Sequence, residues 1–203
     1  TNKINLNKIL NKNSNKYLVR TFKNYKKIPE NRSIVAKVND GLGAQNLFIF
    51  KNRSELEKNI DKITDKHIFQ DFISGNVVSL NILAKESKLI ILSINEQIYS
   101  YSSKYEIYLD KIIIGKYNHM IKNFEIFVNS IMSNLDGCSG FLGIDAILDK
   151  NNNIIFLEIN PRLTTSYIGL QKSIGRNPLT IFNSNKYNFK ISNNKVITLN
   201  ISK

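Results

Sequence analysis

The most informative stretch of the sequence is FLEINPRLTTSY, residues 156–167, where an apolar strand pattern is interrupted by polar groups. Glu158 and Asn160 are two residues apart, so their side chains lie on one face of the predicted strand. Pro161 and Arg162 follow at once, and a proline ends strand pairing because it has no amide hydrogen. A carboxylate, an amide and a guanidinium at one strand end are groups that bind ions, and this is the chemistry to be explained.

A second carboxylate is brought to the same face by the preceding strand. The two strands are predicted to form a β-hairpin with its turn centred between 151 and 152. In that register Asp149 faces Ile154, and Asp145 faces Glu158. Directly opposed residues share a face, so Asp145 joins the polar group at the strand end. A slip of one residue in the pairing would instead turn Asp145 to the other face.

Two facing carboxylates repel each other unless a positive charge lies between them. Oxygen ligands suit a hard divalent cation, and Mg²⁺ typically takes one or two carboxylates together with phosphate and water oxygens. We therefore predict that Asp145, Glu158 and Asn160 bind Mg²⁺ or Mn²⁺, and that Arg162 holds a phosphate or a carboxylate. The alternative is that Asp145 faces solvent and Glu158 pairs with a lysine.

The run AKVNDGLGAQN has the features of a phosphate site. Lys37 lies on the predicted strand that leads to Gly41 and Gly43, where backbone amides can close over phosphate groups. Neither a P-loop motif nor a Rossmann glycine motif is present, so a nucleotide would have to bind in another way. The alternative is a plain hairpin turn, which an Asp-Gly pair also favours.

In their order along the chain, these motifs resemble the ATP-grasp superfamily, whose members hold ATP between two α+β lobes. The Lys37 strand resembles the family's lysine strand and glycine loop, and EINPR resembles the end of its metal hairpin. HIFQDFISG resembles the connector between the lobes, where the backbone would bind the adenine edge, and TNKIN resembles an entry motif with a second lysine on the phosphate side. The resemblance implies these ATP-binding residues: Lys3, Lys37, Gly41, Gly43, Gln70, Asp71, Phe72 and Ile73.

A narrower resemblance, over about residues 33–170, is to the tyramine–glutamate ligase group of methanofuran biosynthesis. It rests on LSINEQ at 92–97 and on the run from EINPR to TTSY. Asn76 departs from this pattern, because the group usually carries an acidic residue after Gly75 that is a candidate ribose contact. The group also has an N-terminal domain, which we expect this chain to lack.

The resemblance implies an ATP-dependent carboxylate–amine ligase. A substrate carboxylate, expected to be that of glutamate, would attack the γ-phosphate to give an acyl phosphate and ADP. An amine such as tyramine would then displace phosphate, and Arg162 would be the catalytic residue that stabilises the transferring group. Candidate substrate contacts are Ser93, Asn95, Gln97, Thr164, Thr165 and Ser166. The alternative for these six is an ordinary solvent-facing position on a strand or loop.

Other function classes are limited by the composition. The chain of 203 residues has a formal charge of +13, which would suit an anionic partner. Its lysines do not cluster with aromatic residues in a readable motif, so we do not expect nucleic acid to be the partner. The single Cys138 excludes a disulfide framework, and no apolar run reaches the ~20 residues of a membrane span. We therefore expect a cytoplasmic protein that acts on small molecules and has no membrane partner.

Two alternative functions remain open beside this ligase. One is another ATP-grasp amino-acid ligase that resembles the pyrrolysine-pathway or D-Ala–D-Ala enzymes. Another is a module that binds nucleotide or nucleic acid without turnover. A homo-oligomer is also left open.

The apolar periodicity predicts an α+β fold with mainly antiparallel strands. We expect a small lobe at 1–70 with the lysine strand and glycine loop, and a large lobe at 71–203 with the metal hairpin. One helix is predicted to begin with Ser54 as N-cap and Glu57 as its capping-box partner. Further helices are predicted around 4–10, 120–135 and 169–174. Strands are predicted at 17–22, 33–40, 47–50, 67–73, repeatedly over 77–114, and at 141–148, 154–160 and 195–201.

Overall fold

The computed structural model describes residues 2–10, 14–40, 46–85, 88–101, 107–135, 137–183, 191 and 194–201. Within these residues the chain forms two antiparallel sheets with helices packed on them. The predicted α+β class is therefore confirmed. None of the helices in these ranges has the length and apolar character needed to cross a membrane.

The first sheet is built from four short strands. They are β1 (Thr21–Phe22), β2 (Ile34–Val38), β3 (Phe48–Phe50) and β4 (His67–Asp71), in the spatial order β1-β4-β2-β3. The predicted hairpin of β2 and β3 is confirmed, with Ile34 opposite Phe50 and Ala36 opposite Phe48. These four side chains are buried together, which is the expected result of alternation along two paired strands. The predicted glycine loop, with Gly41 and Gly43, lies outside the described residues.

Two predictions in this part of the chain are wrong. The helix after β3, α2 (Arg53–Lys58), has Asn52 as its N-cap, and the Asn52 side chain accepts the Glu55 amide at 2.9 Å. The predicted capping box at Ser54 fails because this asparagine caps the helix two residues earlier. The predicted strand at 17–22 is reduced to β1, since Leu18 instead forms a bridge with Phe156 of the second sheet.

The second sheet has six strands and carries the predicted metal hairpin. The strands are β5 (Gly75–Lys85), β6 (Lys88–Tyr101), β7 (Ile107–Ile114), β8 (Gly140–Asp149), β9 (Ile154–Asn160) and β10 (Ile197–Asn200). Their spatial order is β10-β7-β6-β5-β8-β9. One face is covered by α3 (Ile121–Met132), whose Phe124, Phe127 and Ile131 are fully buried at helical spacing. The predicted helix at 120–135 is therefore confirmed.

Three other α-helices lie in the described part, in addition to four short 3-10 helices. The first is α1 (Lys3–Leu10), and the others are α4 (Tyr167–Ile174) and α5 (Pro178–Asn183). Leu6 and Leu10 of α1 belong to the large core that α3 forms with the second sheet, although α1 comes before the first sheet in the chain. The last strand of the first sheet ends at Asp71, and the first strand of the second sheet begins at Gly75. The division of the chain into two lobes at 70/71 remains a proposal.

The register of the β8–β9 hairpin was predicted correctly at the site and wrongly near the turn. Asp145 lies opposite Glu158, as predicted. The register then shifts by one residue, so Leu148 rather than Asp149 faces Ile154. A bulge of this kind places one extra residue, Leu157, in β9. The Asp149 side chain instead accepts two backbone amides of the turn.

Candidate active site

A cleft of about 750 Å³ is lined by residues of both sheets. One wall comes from β2, β3 and the end of β4, and the other from β5 to β9. Most of the residues predicted to bind ATP, metal or substrate line this cleft. They are Lys3, Lys37, Gln70, Asp71, Phe72, Ile73, Gln97, Asp145, Glu158, Asn160, Arg162, Thr164 and Thr165.

The proposed metal ligands lie together on the cleft face of β8 and β9. The Asn160 side-chain nitrogen donates to Asp145 Oδ2 at 3.0 Å, and Gln97 Nε2 lies 3.5 Å from Asp145 Oδ1. Among the described residues there is no cluster of three or more His, Cys, Asp or Glu side chains arranged to hold a metal. Two carboxylates and an amide fit Mg²⁺ or Mn²⁺ held jointly with phosphate and water oxygens, and do not form a closed protein cage.

The electrostatics of the cleft are set by two carboxylates and two lysines. Burial raises the pKa of Asp145 to about 7, and the neighbouring charge of Glu158 adds to this effect. Burial also lowers the pKa of Lys37 to about 8, with Lys3 as the second cause and the two carboxylates opposing. These pKa values are perturbed chiefly by burial, in a cleft where charged groups lie close together. Such perturbation is common at functional sites.

Lys3 pairs with Glu158 across the cleft. Its ammonium lies 3.2 Å from Glu158 Oε2 and donates to the Asn39 carbonyl at 3.2 Å. Lys3 is 5% exposed. Part of the alternative considered from the sequence is therefore correct, because Glu158 does pair with a lysine. The other part is wrong, because Asp145 lines the cleft instead of facing open solvent.

Arg162 is placed at the end of β9 by a tight turn. Its amide donates to the Asn160 carbonyl at 2.8 Å, and its Nη1 donates to the Leu163 carbonyl at 3.0 Å. The Arg162 charge also lowers the pKa of Asp145, although burial and Glu158 outweigh it. The guanidinium is thus on an exposed rim of the cleft, close enough to the carboxylates to influence them.

The connector residues line the cleft, but several of their polar groups already have partners within the protein. The amides of Asp71 and Phe72 donate to the Arg20 and Ser33 carbonyls at 3.2 and 2.9 Å. The Asp71 carboxylate accepts from Arg32 at 3.0 Å. These bonds fix the connector between the two sheets.

The Gln70 side chain and the Ile73 amide differ in whether they already have a hydrogen-bond partner within the protein. The Gln70 side chain donates to Thr21 Oγ1 at 2.8 Å. Among the residues that the structure describes, the Ile73 amide makes no hydrogen bond. Within the described connector, the Ile73 N–H is therefore a donor that is open to a ligand.

Three of the predicted substrate contacts do not line the cleft. Ser93 and Ser166 are fully buried, and each accepts from the Asn81 side-chain nitrogen at 2.9 Å. Asn95 is also buried, and its Oδ1 accepts the Gly115 amide at 3.0 Å. Ser166 and Asn95 thereby hold loops onto the sheet, whereas Ser93 joins β6 to β5. Ser93 and Asn95 alternate along β6 with Gln97, which does line the cleft, but the sequence did not reveal that neighbouring segments cover the first two.

Thr164 and Thr165 remain at the cleft. Thr164 Oγ1 donates to Asn81 Oδ1 at 3.2 Å, so the loop after Arg162 is attached to β5. Gly143 makes room for this attachment, because a Cβ there would lie 2.3 Å from Thr164 Cγ2. The loop is thus held against the sheet by a polar contact and by the absence of a side chain.

Tyr99 was missed in the sequence. It lines the cleft, and its hydroxyl donates to Gln97 Oε1 at 3.1 Å. Burial raises the Tyr99 pKa, and the charges of Asp145 and Glu158 raise it further. Asn95, Gln97 and Tyr99 alternate along β6, so the same two-residue spacing that selected the first two could also have identified Tyr99.

Asn76 lies away from the cleft, unlike its neighbours Gly75 and Val77, which line it. Its side-chain nitrogen donates to the Tyr117 hydroxyl at 2.9 Å, and that hydroxyl donates to Glu96 at 3.1 Å. The departure at this position therefore affects a hydrogen-bond network that runs from exposed Asn76 to buried Tyr117.

A profile of the ATP-grasp domain matches residues 1–166, and the chain belongs to this family. The tyramine–L-glutamate ligase of Methanocaldococcus fervens is 31% identical over 192 residues, which are 89% of this chain and 56% of that protein. The chain thus spans little more than half the length of this relative.

Solved structures show the same fold. An L-amino acid ligase from Bacillus licheniformis superposes with a TM-score of 0.67 at 20% identity, covering 87% of this chain and 44% of that one. The N5-carboxyaminoimidazole synthetase of Staphylococcus aureus, complexed with ADP, also gives 0.67, at 17% identity over 85% of this chain and 46% of that one. The architecture of this chain is therefore the ATP-grasp fold.

Proposed function

We propose that this chain carries the ATP and metal site of an ATP-dependent carboxylate–amine ligase. The enzyme would form an amide through an acyl phosphate, joining glutamate to an amine such as tyramine. One observation carries the proposal: two carboxylates, Asp145 and Glu158, share a single cleft with two lysines, Lys3 and Lys37. Membership of the ATP-grasp family and the relative named tyramine–L-glutamate ligase support it.

The basic residues of the cleft would bind the triphosphate, and the acidic residues would bind the cation. Lys37 and Lys3 would bind phosphate oxygens, while Asp145, Glu158 and Asn160 would hold Mg²⁺ or Mn²⁺. When bound, the cation would neutralise phosphate charge and help align the γ-phosphate for attack. The buried or half-buried positions of these side chains favour this role, because charges act more strongly where water is partly excluded.

The adenine would lie at the end of the cleft next to the connector. Phe72, Val77 and Ile147 give this region an apolar lining that suits an aromatic ring. The Ile73 amide would donate to the adenine edge, since the neighbouring amides of Asp71 and Phe72 already have partners. Backbone recognition of this kind would leave the Gln70 side chain in its internal bond with Thr21.

The acid substrate would bind where β9 ends. Arg162, Thr164 and Thr165 line this end of the cleft, and Gln97 faces it from β6. A substrate carboxylate oxygen would attack the γ-phosphorus, and ADP would leave. The amine nitrogen would then attack the acyl carbon and expel phosphate. Arg162 would stabilise the charge on the transferring group, and the threonine hydroxyls would orient the acid.

The test is ADP release by the chain in the presence of ATP, Mg²⁺, glutamate and a panel of amines that includes tyramine. The proposal expects ADP release that depends on both acid and amine, with an amide product of the matching mass. Nucleotide binding is measured alongside, because the chain spans about half the length of the ligase relative. Tight binding of polyanions without ADP release for any amine would favour a non-catalytic module. We place the reaction in the cytoplasm, where ATP is supplied.

A further inference from the structure

The ion pair of Lys3 and Glu158 joins elements that are far apart in the sequence. Lys3 is the first residue of α1, and its ammonium lies 3.2 Å from a carboxylate oxygen of Glu158 on β9. Both side chains are largely buried, at 5% and 14% exposure. A carboxylate with so little contact with water is costly without a positive partner, so some cation must stay near Glu158.

The backbone of Lys3 is fixed on the side of the cleft that carries Lys37. Asn39, two residues after Lys37, accepts the Ile4 amide through its side chain at 3.1 Å and the Lys3 ammonium through its carbonyl at 3.2 Å. Leu6 is buried in the large core and anchors the helix. The helix start is therefore held in place, whereas the four-carbon side chain of Lys3 can still reorient its ammonium.

We propose that Lys3 is the resident counter-ion of Glu158 and that a divalent cation takes its place there when metal and nucleotide bind. This inference rests on the proposed function, because it concerns the same cation position. Before binding, the ammonium supplies the positive charge that the buried carboxylate needs. On binding, the metal supplies that charge, and the ammonium is released towards the phosphates. No covalent bond is made or broken in this exchange.

The exchange has a consequence for binding of the metal alone. A cation that arrives without nucleotide must displace a tethered ammonium, and the ammonium then has no phosphate to pair with. Metal alone should therefore bind weakly to the wild type, and Lys3 should oppose it. With nucleotide present, Lys3 should assist. A static structural ion pair would act differently, because its ammonium would stay at Glu158 and its loss would not weaken ADP binding.

The test uses Mn²⁺ as the probe, with binding followed by the electron paramagnetic resonance signal of the free ion. Without nucleotide, Lys3→Met should bind Mn²⁺ about tenfold or more tightly than the wild type, since a competing charge at contact distance is removed. With Mn²⁺ and ADP, the same variant should bind ADP more weakly. Lys3→Arg keeps the charge and should retain the weak binding of Mn²⁺ alone.

Lys8→Met is the matched control, because Lys8 is exposed on the same helix and its loss changes the net charge equally. It should leave Mn²⁺ binding unchanged. If Lys3→Met does not fold, Lys3→Gln is compared with Lys3→Arg in the same way. Equal or weaker binding of Mn²⁺ alone by the neutral variant, in a wild type that binds Mn²⁺ with ADP, overturns this inference only. A wild type that binds no Mn²⁺ even with ADP overturns the proposed function as well.

Discussion

Asp145 and Glu158 face each other at the last pair of the β8–β9 hairpin before its register shifts by one residue. The pairing sets both carboxylates on the cleft face, and the cleft keeps both partly from water. The two acids differ in their surroundings. Glu158 has an ammonium at contact distance, whereas Asp145 has the side-chain amides of Asn160 and Gln97.

Replacing Glu158 by glutamine should remove most of the turnover and leave the fold intact. The change keeps the shape of the side chain but removes a charge that the proposed cation requires. We expect ADP release to fall by about 10²-fold or more, the usual cost of losing one strong electrostatic contact at a reaction site. Circular dichroism and thermal melting check the fold. Glu125→Gln, on the exposed side of α3, is the control and should behave as wild type. Unchanged turnover in Glu158→Gln would exclude Glu158 as a metal ligand.

The stability of the metal-free protein should depend on pH through Asp145. Its pKa is about 7 in the folded protein against an ordinary value of 3.8, so the folded state holds the proton more tightly than the unfolded state. The stabilisation is complete below about pH 3.8 and is lost as the pH rises through 7. Chemical denaturation with chelator from pH 4 to 8 measures it.

The difference in the free energy of unfolding between wild type and Asp145→Asn separates the contribution of Asp145 from those of other acidic residues. Asp149, for example, has a lowered pKa because of its hydrogen bonds with Asn153, and its contribution has the opposite sign at lower pH. The stability of Asp145→Asn relative to wild type should therefore increase between pH 4 and 7. A constant difference across this range would contradict the prediction.

Gly143→Ala should disturb the loop that follows Arg162. The added Cβ would lie 2.3 Å from Thr164 Cγ2, so the threonine or the strand must move. We expect a loss of about 1–3 kcal/mol in the free energy of unfolding, as is typical of overpacking, and a higher KM for the acid substrate. Thr164→Ser removes the methyl group that clashes and keeps the hydroxyl that contacts Asn81. The double variant should recover most of the stability; if it does not, the clash is not the cause.

Asn76→Asp, which introduces the acidic residue usual in the ligase group, should not improve nucleotide binding. Asn76 donates to the Tyr117 hydroxyl, which itself donates to Glu96. The phenol has one proton, so two carboxylates would compete for it. We expect a stability loss of at most about 1 kcal/mol and an ATP affinity within about twofold of wild type. Asn76→Ala removes the hydrogen bond without adding charge and serves for comparison. A clearly tighter ATP complex in Asn76→Asp would show that this position reaches the ribose.

The sequence predicted the parts of the site that depend on strand alternation. The pairing of Asp145 with Glu158 followed from a two-residue period and a turn position, and the structure confirms it. The register near the turn did not follow, because the bulge at Leu157 depends on how the turn and the strand ends fit together. Patterns of residue type carry little information about a single added residue.

The sequence was less informative about what covers each face. Ser93, Asn95 and Ser166 were predicted to contact substrate, yet they bond to Asn81 or to the Gly115 amide and do not line the cleft. Whether a polar side chain meets substrate or another segment depends on distant parts of the chain. The pairing of Lys3 with Glu158 is a similar case, since 155 positions separate the two residues.

The bulge at Leu157 separates the turn of the hairpin from the site at its other end. On the turn side, Asp149 accepts the amides of Asn151 and Asn153, and the pairing follows one register. On the site side, Asp145 and Glu158 follow the other. Alterations to the exposed turn should therefore be absorbed at the bulge before they reach the carboxylates. This makes the Asn151 region a suitable position for attaching a fluorescent label or for opening the chain in a circular permutant.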